Sequence, residues 1–114
     1  MSEPAADELL AHIREAAKQA TSYAEGMAKE DFLADRRTQQ AVILNLIIVG
    51  EAATKLMDQY PEVVASHPDI EWRAMRGMRN RIAHGYYDIN LDVVWETLAT
   101  ALPDLVTRLD RVRR

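Results

Sequence analysis

The chain has 114 residues, enough for one domain over 1–114 and too few for two. Its composition, 48% apolar and 28% charged, is that of a globular protein and excludes general disorder. Cysteine is absent, which rules out disulfides and thiolate metal sites, and a net charge of −4 argues against a surface that binds nucleic acid over its whole extent.

The start, Met1-Ser2-Glu3-Pro4, is acidic and lacks an apolar signal region, so a cytoplasmic protein is expected. Pro4 suits the first turn of a helix. Leu9, Ile13, Ala16, Ala17, Ala20, Tyr23, Ala24 and Met27 follow at helical spacing. Gly26 and the run Lys29-Glu30-Asp31 are expected to end or bend this helix. Asp31 and Asp35 both suit the cap of the next one, which runs to about Tyr60 before Pro61 stops it. Segment 41–49 is apolar on nearly every side. It is broken by Asn45 and too short to span a bilayer, so no membrane association is expected. Its β-branched residues admit a strand, but the apolar pattern continues through Ala52, Ala53, Leu56 and Met57 without turn signals, which predicts a helix. A helix apolar all round needs cover on every side, and in so small a chain a second copy can supply it.

Residues 62–68 read as a short helical turn and a connector. A further helix is predicted from about Asp69 to His84, with Gly85 at its C-terminus in the left-handed region. Tyr86–Ile89 form a link, and Asn90 caps a last helix carrying Val93, Val94, Leu98, Leu102, Leu105, Leu109 and Val112, kinked by Pro103 near Ala99. The expected fold is all-α: an antiparallel four-helix bundle with a short extra helix, assembled as a homodimer.

Charge is unevenly spread. Segment 71–86 holds Arg73, Arg76, Arg79 and Arg81 against Glu71 alone, a local +3 that leaves −7 elsewhere. A basic patch on an acidic body suits a localised anionic ligand. The same charges also fit a solvated helix face with ion pairs to a neighbour. Within this segment Arg76, Asn80 and His84 share a stripe at intervals of four, whereas Arg79 lies about 140° around the helix from His84. Cleaving RNA without a metal requires proton transfer at the ribose 2′-hydroxyl and at the leaving 5′-oxygen, and stabilisation of the phosphate. Histidine titrates near neutrality and suits the first task. Arginine, a permanently charged planar fork, suits the second. One Arg and one His per chain do not make a full acid–base pair, whereas two paired chains would supply two of each. From spacing alone, a lone Arg–His pair near a helix end is usually structural, the histidine simply favouring the helix dipole.

The run Arg79, four residues, His84, one residue, Tyr86 resembles the R-x-x-x-x-H-x-Y motif of the HepT toxins, ribonucleases of the HEPN group. Arg36-Arg37 before the apolar helix resembles the same family. So do Gly50-Glu51-Ala52-Ala53 with Lys55 four residues after Glu51, and a late motif followed by one terminal helix. The likeness covers roughly residues 5–112. It implies a metal-independent endoribonuclease that dimerises so that both motifs line one cleft. Arg79 and His84 would be catalytic, Asn80 would orient the site, and Glu51 and Lys55 would support it through an ion pair. Arg73, Arg76 and Arg81 would bind RNA. It also implies an MNT-type nucleotidyltransferase antitoxin, in a type VII toxin–antitoxin pair, that transfers AMP onto Tyr86. The added charge and bulk would repel RNA phosphate. The alternatives are a non-catalytic nucleotide- or RNA-binding module and a helical scaffold for the nucleotidyltransferase.

Other residues are expected to be structural. His12 and His67 are isolated and have no second ligand at metal spacing. Trp72 and Trp95 read as packing anchors. Arg108, Arg111, Arg113 and Arg114 suit a helix C-terminus. There is no Gly-rich phosphate loop and no carboxylate cluster, so no cofactor is expected and nucleotide transfer is assigned to the partner.

Overall fold

A computed structural model describes residues 2–112 of the chain, and every regular element in it is helical. Arg113 and Arg114 lie outside the described residues. Helix α1 spans Ser2–Tyr23, which puts Pro4 in its first turn. Ile13, Ala16, Ala17 and Ala20 form its buried stripe, and the alanines allow close approach of α3. The helix ends in a turn where Gly26 takes φ +82°, a conformation that costs a glycine little.

The run Lys29-Glu30-Asp31, expected only to end or bend the first helix, opens a short one, α2 (Lys29–Leu33). The Asp31 carboxylate accepts from the Ala28 N–H at 2.9 Å, and Phe32 anchors the turn in the core. Phe32 meets Trp95 with ring centroids 5.5 Å apart. Asp35 therefore caps the next helix, α3 (Arg36–Gln59), accepting from the Thr38 N–H at 3.1 Å and the Thr38 hydroxyl at 2.9 Å. These two bonds, the amide first, hold the Asp35 carboxyl below the ordinary carboxylate range.

Helix α3 is the central element, packing on α1 along one side and on α5 along another. Over its full 24 residues it is long and apolar enough to cross a bilayer by length and composition, which the shorter run 41–49 is not. Here it serves as the core helix. Val42, Leu46, Val49, Ala53 and Leu56 are buried, and the buried Asn45 amide donates to the Ala41 carbonyl at 2.9 Å. Its cover within the chain is incomplete: Leu44 is 57% exposed and Ile48 39%.

Tyr60 closes α3, and Pro61 occupies the first turn of α4 (Pro61–Ser66), a position that needs no N–H. The next helix, α5 (Trp72–His84), begins three residues later than predicted. The buried Trp72 sets that start, its indole N–H donating to the His67 carbonyl at 3.1 Å. Gly85, expected in the left-handed region, has φ −147°. Its N–H instead closes the helix on the Arg81 and Ile82 carbonyls. Tyr86–Asp88 form one 3-10 turn.

Asn90 caps α6 (Leu91–Glu96) by accepting from the Asp92 and Val93 N–H groups at 3.0 and 3.2 Å. A π-helical turn, Thr97–Ala101, joins it to α7 (Leu102–Val112). Pro103 explains the wider turn, because it offers no N–H to the Ala99 carbonyl and its ring crowds that carbonyl. This π-helical turn stands where the sequence predicts a kink. Helix α7 lies along α1, where Arg14 Nε meets Asp110 at 2.6 Å. An apolar groove of about 650 Å³ separates α5 from α6 and α7, with Leu46 and Val49 of α3 among the residues lining it.

Candidate functional site

Helix α5 stands on α3 at a glycine. Gly50 is buried, and a Cβ there would lie 2.3 Å from Arg79 Cβ and 2.8 Å from the Met75 carbonyl oxygen. The missing side chain is what lets Arg79 lie against α3. Its guanidinium then meets two acceptors of that helix: Nη1 donates to Glu51 Oε2 at 3.2 Å, and Nη2 donates to Thr54 Oγ1 at 2.9 Å. The Arg79 side chain keeps 22% of its surface exposed. Its Nε is buried with no hydrogen-bond partner, so its orientation depends on the two Nη contacts.

The expected support is thus corrected in one respect. Glu51 pairs with Arg79 and not with Lys55, which is exposed and forms no ion pair among the described residues. Glu51 reaches across to α5 because Gly50 brings that helix within range of its carboxylate.

His84, the last residue of α5, is exposed, as is Asn80 one turn before it. Neither makes a side-chain hydrogen bond among the described residues, so in a single chain Asn80 orients neither Arg79 nor His84. The helical turn explains the separation: Arg79 lies on the side of α5 that meets α3, and His84 lies on the side facing solvent. Neither lines the groove between α5, α6 and α7. Tyr86 begins the turn beyond the helix and is 73% exposed, its ring edge-on to Tyr87 at 5.4 Å.

The three other arginines are dispersed around α5. Arg73 and Arg81 are exposed, lack ion-pair partners among the described residues, and flank the groove toward α6 and α7. Arg76 is half-buried against α3, with Nη2 3.2 Å from the Met57 sulfur and its Nε without a partner. The predicted basic patch is therefore a band around the helix rather than one face.

Of the remaining residues, the two tryptophans behave as packing groups. Trp72 is buried and Trp95 packs on Phe32. His12 is exposed, and His67 borders a second groove between α1, α4 and α7. Among the described residues no three His, Cys, Asp or Glu side chains converge as a metal site.

Sequence reading alone missed Thr54 and the physical role of Gly50. Their signal was present: a glycine inside a helix costs about 1 kcal/mol relative to alanine, which points to close packing. A threonine four residues on shares its face.

The chain is similar to known proteins along most of its length. A family model described as "Ribonuclease HepT-like" matches residues 13–112. A protein of Thermococcus cleftensis, named a probable ribonuclease HepT, is 33% identical over 92% of this chain and 93% of its own length. Proteins provisionally named as RNases in Methanocaldococcus jannaschii and Caldanaerobacter subterraneus are 27% and 28% identical. These matches cover 88% and 90% of this chain and 80% and 89% of those proteins. No solved structure matches the chain.

Proposed function

The chain belongs to the HepT-like ribonuclease family, and on that premise we propose that it is the toxin of a type VII toxin–antitoxin pair, a metal-independent endoribonuclease. The observation that carries this reading is the state of the motif residues. Arg79 is fixed against α3 by Glu51 and Thr54, while His84 and Tyr86 stand exposed at the end of the same helix.

In the proposed reaction a ribose 2′-oxygen attacks the adjacent phosphorus as its proton passes to an imidazole. The P–O5′ bond breaks, and the 5′-oxygen takes a proton from a second imidazolium. The products carry a 2′,3′-cyclic phosphate and a 5′-hydroxyl. Arg79 binds the phosphate and stabilises its developing charge. The second imidazole comes from a second copy, in a homodimer of antiparallel four-helix bundles that brings both motifs to one cleft. Supporting the dimer, Leu44 and Ile48 leave an apolar stripe of α3 uncovered. Glu51, the Arg79 partner, follows on the same exposed side of α3. Arg73, Arg76 and Arg81 extend the basic surface for RNA.

Neutralisation is assigned to an MNT-type nucleotidyltransferase that forms a phosphodiester between AMP and the Tyr86 hydroxyl, releasing pyrophosphate from ATP. The new negative charge would sit two residues from His84 and repel RNA phosphate. A non-catalytic RNA- or nucleotide-binding module is the second reading. It is favoured by the placement of the two groups in the single chain, Arg79 against α3 and His84 on the solvent side of α5.

Expression without the antitoxin tests the choice, comparing wild type with His84→Ala for growth arrest and for RNA cleavage by purified protein in EDTA. The nuclease reading expects cleavage with cyclic-phosphate ends, reduced about 10²- to 10⁴-fold in the variant. Wild-type protein that binds RNA and leaves it intact selects the module.

A further inference from the structure

The Thr54 hydroxyl has one proton and two lone pairs. Its proton is donated to the Gly50 carbonyl, one turn back on α3, at 2.8 Å. That bond fixes the oxygen as an acceptor, and Arg79 Nη2 donates to it at 2.9 Å. The helix thereby turns a rotatable hydroxyl into a fixed point for one edge of the guanidinium.

Glu51 holds the other edge, and the two contacts differ in what a substrate does to them. Glu51 carries a full negative charge and is half exposed. An incoming phosphate competes with it directly for the same cation. Thr54 is neutral and less exposed, so it does not repel a phosphate and can stay bonded. Because Gly50 has no side chain, Arg79 Cβ and the Thr54 hydroxyl come close enough for this bond to form.

We propose that Thr54 is a positioning residue for Arg79: its Gly50-anchored hydroxyl holds one edge of the guanidinium while the other edge passes from Glu51 to a substrate phosphate. The consequence for cleavage rests on the ribonuclease reading above. The holding of Arg79 does not.

The full chain, labelled with ¹⁵N, reports the Arg79 Nη signals, which stay separate while rotation about Nε–Cζ is slow. Thr54→Val keeps the branched shape and removes the acceptor, and Thr54→Ser restores it. Thr54→Ala repeats the comparison if the valine variant does not fold. The expected result is separate Arg79 signals in wild type and Thr54→Ser that merge in Thr54→Val, with circular dichroism unchanged. RNA cleavage is expected to lose about tenfold in kcat with KM held within about twofold, as for a displaced catalytic group, and the serine variant to recover it.

Arg79 rotation as slow in Thr54→Val as in wild type overturns the proposal, whatever cleavage does. In a protein that cleaves, merged signals with unchanged kcat, or a change confined to KM, overturn its catalytic half. Wild-type protein that cleaves no RNA instead overturns the ribonuclease reading, and the Nη comparison still decides whether Thr54 holds Arg79.

Discussion

Replacing Gly50 by alanine puts one methyl group into the α3–α5 contact. Its carbon would lie 2.3 Å from Arg79 Cβ and 2.8 Å from the Met75 carbonyl oxygen. Carbon atoms rest at roughly 3.5–4.0 Å, so the helices must part by about 1 Å. Neither opposing atom is the free end of a side chain: one is bonded directly to the α5 backbone and the other belongs to it. Overpacking of this kind costs about 1–3 kcal/mol, and the overlap here places it near the upper end. Alanine's helix propensity offsets about 1 kcal/mol. The net expectation is a loss of about 2 kcal/mol, or a Tm lower by roughly 8 °C at about 4 °C per kcal/mol. Gly77 on α5 is the internal control, because a Cβ there meets nothing within 4 Å. Gly77→Ala should gain about 0.5–1 kcal/mol. Urea unfolding at one fixed protein concentration measures both. A Gly50→Ala protein as stable as wild type would refute the close-contact argument.

Three further outcomes are expected. Asp35→Ala should lower stability at neutral pH, because the folded-state pKa of Asp35 is depressed and its contribution is fully present above the unfolded value. The deficit should shrink as pH falls through the depressed value, and a deficit constant from about pH 5 to pH 2 in denaturant titrations contradicts the cap assignment. Leu44→Glu should shift the proposed homodimer toward monomer in sedimentation equilibrium by charging the exposed α3 stripe; an unchanged mass, or a wild type that is itself monomeric, overturns the assignment of that stripe to a dimer interface. Under the proposed neutralisation, Tyr86→Phe should abolish the AMP mass increment produced on incubation with ATP and an MNT-type nucleotidyltransferase, and modification persisting at Tyr87 in that variant would reassign the acceptor.

Much of this molecule was legible in local patterns. Helical periodicity located α1, α3, α5 and the terminal rod, because the buried stripe of a helix repeats every three or four residues and needs no knowledge of the partner. Pro61, Asp35 and Asn90 marked boundaries through chemistry confined to one turn. The motif Arg79–His84–Tyr86 was visible as residue types at fixed intervals, with its placement at a helix end and just beyond. Short-range signals misled where several competed. Lys29–Leu33 looked like a helix breaker, yet burial of Phe32 against Trp95 makes it a helix. Gly85 needs no positive φ, because its N–H finds the preceding carbonyls at φ −147°.

What the sequence determined by itself is the long helices and the motif residue types, since both follow from spacing along one chain. Which groups touch was decided by tertiary structure. Glu51 could have paired with Lys55 on its own helix, but the absence of a side chain at Gly50 brings α5 close and gives its carboxylate Arg79. The same approach makes Thr54 an acceptor for that arginine. A contact between residues 25 apart depends on how two helices sit against each other, and no periodicity within either helix encodes that distance.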